Sequence, residues 1–275
     1  MLKIGIRGHD LPGAPFDTPE QFIEGMKSSG LQYVQLAYQK AYKNFNCDDA
    51  LLEETARLFD ENGIGTAFVG GYFNMIHPDE AKRLKGYAYF EYCMRTAHLF
   101  HTPLVGSETG SANGDKWTYH PYNHTDEAYR RVVETVRSPK AYGEAFGTRP
   151  IIEGAYGHTI YKPSVMKKLI EETGITDVTV DIFNYLNPYN YAEASNIFDE
   201  CLELFGDKIR IFHIKDFHAE PDKLVQCAAG DGELDWLYMI GQIKKHCPDA
   251  YLILEGIRGD DIAKSVNYLR RLINE

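Results

Sequence analysis

Cysteine is scarce in this sequence, and its spacing suggests no metal or disulfide framework. The 275-residue chain has five cysteines, an odd number, and no two of them stand close together. A disulfide-stapled secreted protein or a zinc ribbon would need closely spaced, paired cysteines. We therefore expect free thiols that are mostly buried.

The sequence also lacks long apolar runs and an excess of positive charge. No run approaches the roughly 18 apolar residues of a membrane helix, and no signal-peptide-like segment follows Met1. Acidic residues outnumber basic ones, 40 to 29, which gives a formal net charge of −11. Nucleic-acid binding depends on clustered Lys and Arg, so these features oppose nucleic acid and anionic membrane as partners. We expect a soluble, cytoplasmic protein.

No internal repeat, low-complexity tract or Pro/Ser-rich linker divides the chain. Instead, short β-rich runs alternate with helix-period segments, which predicts parallel strands joined by helices. The eight predicted strands are Lys3–Arg7, Tyr33–Ala37, Thr66–Gly70, Pro103–Ser107, Arg149–Gly154, Asp177–Ile182, Ile209–Lys215 and Tyr251–Gly256. We interpret residues 1–275 as a single α/β domain, one (β/α)8 TIM barrel. The alternative, an open doubly wound sheet, lacks its Gly-x-Gly-x-x-Gly turn after the first strand.

The longest irregular segment runs from Gly110 to Thr125, between the fourth and fifth predicted strands. It is rich in Gly, Asn, Tyr and His, and it is too long for a simple connector. We predict a loop over the active face, without helix. Its ring-bearing residues could cover a flat polar ligand such as a sugar or form a homo-oligomer contact, and they are Trp117, Tyr119, His120 and His124.

Four of the predicted strands share one design, an apolar run with a single polar side chain near its C-terminal end. These side chains are Glu153, Asp181, His213 and Glu255. In a (β/α)8 barrel the active site lies at the C-terminal ends of the strands. Because the four strands are neighbours in such a barrel, the four side chains are predicted to converge.

Three buried carboxylates repel one another unless a cation compensates them. Three oxygen donors and one imidazole suit a divalent ion such as Mn²⁺, our first choice, with Mg²⁺, Co²⁺ or Zn²⁺ as alternatives. The competing interpretation is a structural ion network without metal, in which the carboxylates pair with Arg7, Lys215 or Arg149.

Over its whole length the chain resembles the sugar phosphate isomerase/epimerase family, the xylose-isomerase-like barrels. The motifs that carry the resemblance are Ile151-Ile152-Glu153, Val180-Asp181, Phe212-His213-Ile214-Lys215-Asp216, Gly230-Asp231-Gly232-Glu233-Leu234-Asp235-Trp236 and Leu252-Ile253-Leu254-Glu255. The resemblance implies one divalent cation bound by Glu153, Asp181, His213 and Glu255. It further implies a sugar isomerase or epimerase in which Glu153 and Glu255 shuttle a proton through an enediolate.

Three positions depart from the pattern of that family. Asn184 stands where many relatives have histidine, and Gln35 ends the second strand where glutamate is common. Ala219 replaces an arginine found in relatives that epimerise free ketoses. These departures oppose a standard ketose 3-epimerase and indicate altered contacts to the substrate.

Four further residues are candidates for substrate binding, namely His158, Asn184, Lys215 and Arg258. For His158 the alternative is an exposed loop histidine, and for Lys215 it is neutralisation of a carboxylate. Phosphate often binds at the loops after strands seven and eight of such barrels. Here Asp260 and Asp261 begin the last helix and would repel phosphate, with Arg258 as the one opposing cation. We therefore expect an unphosphorylated sugar or polyol.

Three other functions compete with the isomerase. A metal-dependent lyase or dehydratase of a keto sugar or inosose would begin with the same proton abstraction. A non-catalytic sugar-binding barrel would not need two flanking carboxylates, Glu153 and Glu255. An abasic-site endonuclease would need more histidines at strand ends and a less acidic chain.

Overall fold

Eight parallel strands close into a barrel in the computed structural model, which describes residues 2–274. Counting two strands outside the barrel, the described residues form ten strands, namely β1 (Lys3–Arg7), β2 (Tyr33–Leu36), β3 (Gly65–Gly70), β4 (Leu104–Glu108), β5 (Arg149–Glu153), β6 (Asp177–Val180), β7 (Ile209–Ile214), β8 (Asp216–Ala219), β9 (Leu224–Cys227) and β10 (Tyr251–Leu254). The barrel runs β1-β2-β3-β4-β5-β6-β7-β10 and closes between β10 and β1, while β8 and β9 form an antiparallel hairpin. The TIM-barrel prediction is confirmed.

Helices follow the strands and cover the outside of the barrel. They are α1 (Pro19–Ser29), α2 (Tyr38–Ala41), α3 (Asp49–Glu61), α4 (Glu80–Thr96), α5 (Asp126–Glu144), α6 (Pro163–Thr173), α7 (Ile182–Tyr185), α8 (Ala194–Phe205), α9 (Trp236–His246) and α10 (Asp260–Asn274). Local sequence sets their ends: Thr18 caps α1 through the Gln21 N–H, and Gly30 ends it with a left-handed φ of 66°. No helix within residues 2–274 is long and apolar enough to cross a membrane.

A small cluster of side chains fills the interior of the barrel, apart from the larger core between the strands and the helices. Its members are Ala67, Phe68, Leu104, Ile151, Ile211 and Ile253. Gly106 on β4 leaves room for this layer, because a Cβ there would collide with the ring of Phe68. The interior is therefore packed below the level at which the polar side chains begin.

The structure corrects the sequence predictions at three places. Strand ends differ by one or two residues, so that Asp181 and Glu255 lie just beyond β6 and β10. The β8–β9 hairpin was not predicted. The segment from Gly110 to Thr125 is not free of helix, because 3-10 turns form at Gly114–Lys116 and Pro121–His124. The five cysteines are all free, and three of them are buried.

Candidate active site and metal centre

Strand periodicity places three of the four predicted side chains above the packed interior. Ile151, Ile211 and Ile253 belong to the interior cluster, and Glu153, His213 and Glu255 each follow two residues later. Side chains two residues apart on a strand point to the same face, so all three enter the barrel one step nearer its C-terminal end. Asp181 joins them as the N-cap of α7, where its side chain accepts from the Asn184 N–H.

The four side chains form one compact cluster. Each offers a ligand atom, and these atoms all lie within 4.8 Å of one another. His213 Nδ1 lies 2.7 Å from Glu255 Oε2, 3.3 Å from Glu153 Oε2 and 3.9 Å from Asp181 Oδ2. His213 Nδ1 and Asp181 Oδ2 are buried, and neither has a well-oriented hydrogen-bond partner among the described residues. Buried polar atoms of this kind are expected where a ligand completes the site.

Burial and mutual repulsion change the acidity of the cluster. Burial raises the pKa of Glu153, and the charges of Glu108 and Glu255 raise it further. Burial, with Glu255 and Glu153 nearby, raises the pKa of Asp181 to about 6. Burial would lower the pKa of His213, but the carboxylates of Glu153 and Glu255 raise it to about 10. Without a metal ion, the cluster holds a proton at neutral pH.

Two cations surround Glu255. Lys215 Nζ lies 2.9 Å from Glu255 Oε1 and 2.7 Å from Asp181 Oδ2, and Arg7 Nη1 lies 3.0 Å from Glu255 Oε1. Although burial would raise the pKa of Glu255, Lys215, His213 and Arg7 hold it well below its usual range. The ion network considered from the sequence therefore exists in part, whereas Arg149 pairs with Asp177 instead.

The second ring nitrogen of His213 is held by the side chain of Gln35. His213 Nε2 lies 2.9 Å from Gln35 Oε1, and Gln35 Nε2 donates to the Tyr72 hydroxyl at 2.5 Å. Because an amide oxygen only accepts, this contact places a ring proton on Nε2, so that Nδ1 is the nitrogen that faces the carboxylates and would offer its lone pair to a bound ion. Outer partners of this type orient histidine ligands of metals.

The remaining predicted site residues lie at different distances from the cluster. Asn184 Nδ2 donates to Glu153 Oε1 at 2.7 Å, so it holds one member of the cluster. His158 is buried, with Nδ1 3.6 Å from Glu108 Oε1, and the alternative of an exposed histidine is wrong. Arg258 is exposed and makes no ion pair among residues 2–274. The structure does not bring it to the cluster.

Glu108 and Tyr72 were not singled out from the sequence. Glu108 ends the apolar run Leu104-Val105-Gly106-Ser107 and pairs in register with Glu153. Its sequence pattern, an apolar run that ends in a carboxylate, is the same as in the other strands, but the predicted strand ends one residue earlier, at Ser107. Tyr72 lies beyond the end of β3, where no sequence pattern marks it.

The ring-bearing residues of the 110–125 segment separate into two groups. Trp117 packs edge-on against His158 at 5.6 Å, and its carbonyl accepts from His158 Nε2. Tyr119 instead stacks on Tyr156 and His124 on Tyr161, which fixes the loops to each other. Only Trp117 thus reaches the surroundings of the cluster.

The charges at the barrel mouth fit one divalent cation. Five carboxylates face three cations there, which leaves two negative charges when the histidines are neutral. The carboxylates are Asp10, Glu108, Glu153, Asp181 and Glu255, and the cations are Arg7, Lys40 and Lys215. Together with the oxygen-rich donor set, this balance supports a divalent metal site.

Sequence comparison connects this fold and cluster with a known family. Residues 23–272 match the family described as xylose isomerase-like TIM barrel. The chain belongs to that family. None of the curated proteins matches the sequence of this chain.

Several solved structures share the fold at low sequence identity. A xylose isomerase-like TIM barrel protein from Mycobacterium smegmatis in complex with magnesium has a TM-score of 0.78 and 12% identity, over 99% of this chain and 97% of that one. The 3-keto-D-glucoside 4-epimerase YcjR from E. coli has a TM-score of 0.76 and 16% identity over the full length of both chains. The probable 3-DHS dehydratase AsbF from Bacillus anthracis has a TM-score of 0.74 and 12% identity, over 98% of this chain and 99% of that one. At these identities the likeness shows a common fold.

Proposed function

We propose that the protein is a sugar isomerase or epimerase that requires one divalent metal ion. The carrying observation is that two carboxylates, Glu153 and Glu255, lie on opposite sides of His213 within one cluster. Glu153 comes from β5 and Glu255 follows β10, the strands on either side of the β6–β7 pair. A substrate carbon above the cluster would have a carboxylate on each side.

The proposed ligands are Glu153, Asp181, His213 and Glu255, with Mn²⁺ as the first choice of ion. A divalent ion supplies Lewis-acid stabilisation of the negative charge that develops on the sugar oxygens when a carbon is deprotonated. Glu153 would remove that proton and Glu255 would return one to the opposite face or to the neighbouring carbon. Asn184 holds the Glu153 carboxylate in position at 2.7 Å, and Lys215 holds Glu255 at 2.9 Å.

The charge balance at the mouth favours a neutral sugar or polyol over a phosphate ester. With a divalent ion bound, its two positive charges and those of the three cations balance the five carboxylates. No excess positive charge then remains for a phosphate dianion. Arg258 lies outside the cluster, exposed, and acidic Asp260 and Asp261 follow it in the first turn of α10. Negative charge there opposes phosphate at the helix N-terminus.

A dehydratase is the second candidate, and one contact favours it. Glu108 Oε1 lies 3.6 Å from His158 Nδ1, and Glu108 is the register partner of Glu153. This pair could protonate a departing hydroxyl next to the carbon that Glu153 deprotonates. The product would then have lost water, whereas an isomerase or epimerase conserves the atoms of its substrate.

Solvent deuterium uptake tests the proposal. Metal-stripped protein loaded with Mn²⁺ is incubated in D₂O with aldoses, ketoses and inososes, and with matched phosphate esters, and the products are read by NMR. We expect at least one unphosphorylated sugar to gain deuterium at a single carbon. Glu153→Gln and Glu255→Gln should each slow exchange by roughly 10²–10⁴-fold.

The exposed pair Glu220–Lys223 supplies a matched control, Glu220→Gln, which should exchange like wild type. Exchange at wild-type rates in either cluster variant contradicts the proton shuttle. A clear preference for phosphate esters contradicts the charge argument. Loss of water from the product selects the dehydratase.

A further inference from the structure

A cavity lies beyond the C-terminal ends of β2 and β3, with Tyr72 between it and the contact of Gln35 with His213. Its volume is about 260 Å³. It is lined by Gln39, Tyr72, Phe73, Asn74, His77, Lys82, Lys85, Gly86, Tyr89, Asp115 and Trp117. Ligand pockets usually measure roughly 300–1,000 Å³, so this space suits one additional ring of a larger ligand.

Two residues connect the cavity with the cluster. Tyr72 forms part of its wall, and the hydroxyl of Tyr72 accepts from Gln35, which in turn contacts His213. Trp117 forms another part, and its ring packs against His158. The inner wall of the cavity is thus two contacts from His213 on the Tyr72 side, and on the Trp117 side it connects to Glu153 through His158 and Glu108.

The wall combines aromatic and polar groups. Lys40 Nζ lies 4.8 Å from the centre of the Tyr72 ring, and the Gln39 side chain is exposed and makes no hydrogen bond among residues 2–274. Lys82 is already paired with Asp115 at 2.6 Å. A sugar ring presents C–H bonds on its faces and hydroxyls at its edge, and aromatic side chains with polar neighbours suit such a surface. Lys85, also in the lining, makes no ion pair among residues 2–274, so its ammonium can donate to a hydroxyl of the occupant.

The backbone of Trp117 supports a ligand-facing role. Its φ is 50°, in the left-handed region that bulky residues seldom adopt. Such conformations cluster at ligand-binding sites, where surrounding structure enforces them. His158 and the 3-10 turn before Trp117 hold the ring at the cavity.

We propose that this cavity is a subsite for a second sugar ring, so that the preferred substrate is a glycoside or disaccharide and not a monosaccharide. The inference rests on the proposed function, because the first ring of such a substrate is the one that would react at the cluster. Gln39, Tyr72 and Trp117 would contact the second ring, while the first ring lies over the metal cluster.

Intrinsic fluorescence tests the subsite without turnover. The chain has two tryptophans, Trp117 at the cavity and Trp236 buried on α9. D-Fructose and four glucosyl-fructose disaccharides (turanose, maltulose, leucrose and isomaltulose) are titrated into wild-type and Trp117→Phe protein. We expect at least one disaccharide, but not fructose, to change the wild-type emission, and Trp117→Phe to abolish that change.

Deuterium exchange with the same sugars gives the second readout. At least one disaccharide should exchange with a kcat/KM at least about tenfold above that of fructose. Gln39→Phe, which fills the cavity, should remove that preference. Lys245→Phe, an exposed position on α9 outside the cavity lining, should keep it.

The outcomes separate this inference from the proposed function. Exchange with fructose at an efficiency equal to that with every disaccharide overturns the subsite and keeps the isomerase. A preference that survives Gln39→Phe also overturns the subsite. If no sugar exchanges, the proposed function fails, and the fluorescence titration alone decides: no Trp117-dependent change with any disaccharide overturns the subsite.

Discussion

The side chain of Gln35 determines which nitrogen of His213 faces the rest of the cluster. Gln35 is separated from His213 by 178 positions in the sequence, yet its amide oxygen contacts His213 Nε2 at 2.9 Å. The amide fixes the imidazole tautomer with no added negative charge. A glutamate at position 35 would add a sixth carboxylate to the mouth and change its charge balance.

Replacing Gln35 by leucine should weaken metal binding. Leucine cannot accept the His213 N–H, so the ring would lose its orientation and its preferred tautomer. We expect the Kd for Mn²⁺, measured by calorimetry on metal-stripped protein, to rise roughly 10–100-fold. Gln32→Leu, at an exposed position just before β2, should leave the Kd unchanged. Equal affinities in Gln35→Leu and wild type would contradict the positioning role of Gln35.

The elements of the barrel were largely predictable, because buried parallel strands are short apolar runs. Period-2 spacing then placed Glu153, His213 and Glu255 above Ile151, Ile211 and Ile253. The contact between Gln35 and His213 was not predictable, since it depends on barrel closure over a long sequence separation. The β8–β9 hairpin was missed because each strand has only four residues, the shortest length at which alternation indicates a strand, and β9 does not alternate.

Asp216 organises the hairpin and the turn after it. Its carboxylate accepts from the N–H groups of Phe217, Gly230 and Leu234 at 2.9, 3.1 and 3.0 Å. Gly232 is required beside it, because a Cβ there would collide with the carboxylate. Asp216 directly follows Lys215, so these hydrogen bonds hold the segment that carries Lys215 to the cluster.

Removal of this carboxylate should destabilise the protein. Asp216→Ala leaves the buried N–H groups of Phe217 and Leu234 without a partner, and each unsatisfied buried donor costs about 1–3 kcal/mol. Part of this cost is offset because the variant no longer buries a carboxylate, whose pKa burial raises. We expect urea unfolding to show a loss of about 2–3 kcal/mol. Asp222→Ala, exposed at the tip of the hairpin, should change stability by less than about 0.5 kcal/mol. A similarly small effect for Asp216→Ala would mean that the carboxylate does not hold the turn.

Across the whole molecule, an ion-pair network that joins three strands and the candidate metal site lie at opposite ends of the barrel. Asp177 begins β6 at the end away from the cluster, where its carboxylate contacts Arg149 Nε and Arg210 Nε at 2.7 Å each. These arginines belong to β5 and β7, so one buried carboxylate joins three neighbouring strands. Burial would raise the pKa of Asp177, but hydrogen bonds from Arg149, Thr176 and Arg210 lower it below its ordinary value.

This pKa shift makes the contribution of Asp177 dependent on pH. Because the pKa is lower in the folded chain, the stabilisation is complete above the unfolded pKa near 3.8 and is lost as the pH falls through the folded pKa. Asp177→Asn should therefore cost about 2–3 kcal/mol between pH 5 and 8. The difference from wild type should shrink below about pH 4.

Urea unfolding at several pH values checks this prediction, with Asp207→Asn as the control. Asp207 is exposed and pairs with Lys208, so its loss should change stability little at any pH. A difference between Asp177→Asn and wild type that stays constant down to pH 3 would show that the charge of Asp177 does not stabilise the barrel.

The central claim, that Glu153, Asp181, His213 and Glu255 hold one divalent ion, is tested most directly by metal stoichiometry. Metal-stripped protein is titrated with Mn²⁺ by calorimetry, and free Mn²⁺ is followed by electron paramagnetic resonance. We predict that the wild-type protein binds one Mn²⁺ per chain. His213→Ala, provided that its circular dichroism matches that of wild type, should bind Mn²⁺ with an affinity at least about 100-fold lower. The absence of stoichiometric Mn²⁺ from wild type, or equal binding by His213→Ala, would contradict the account.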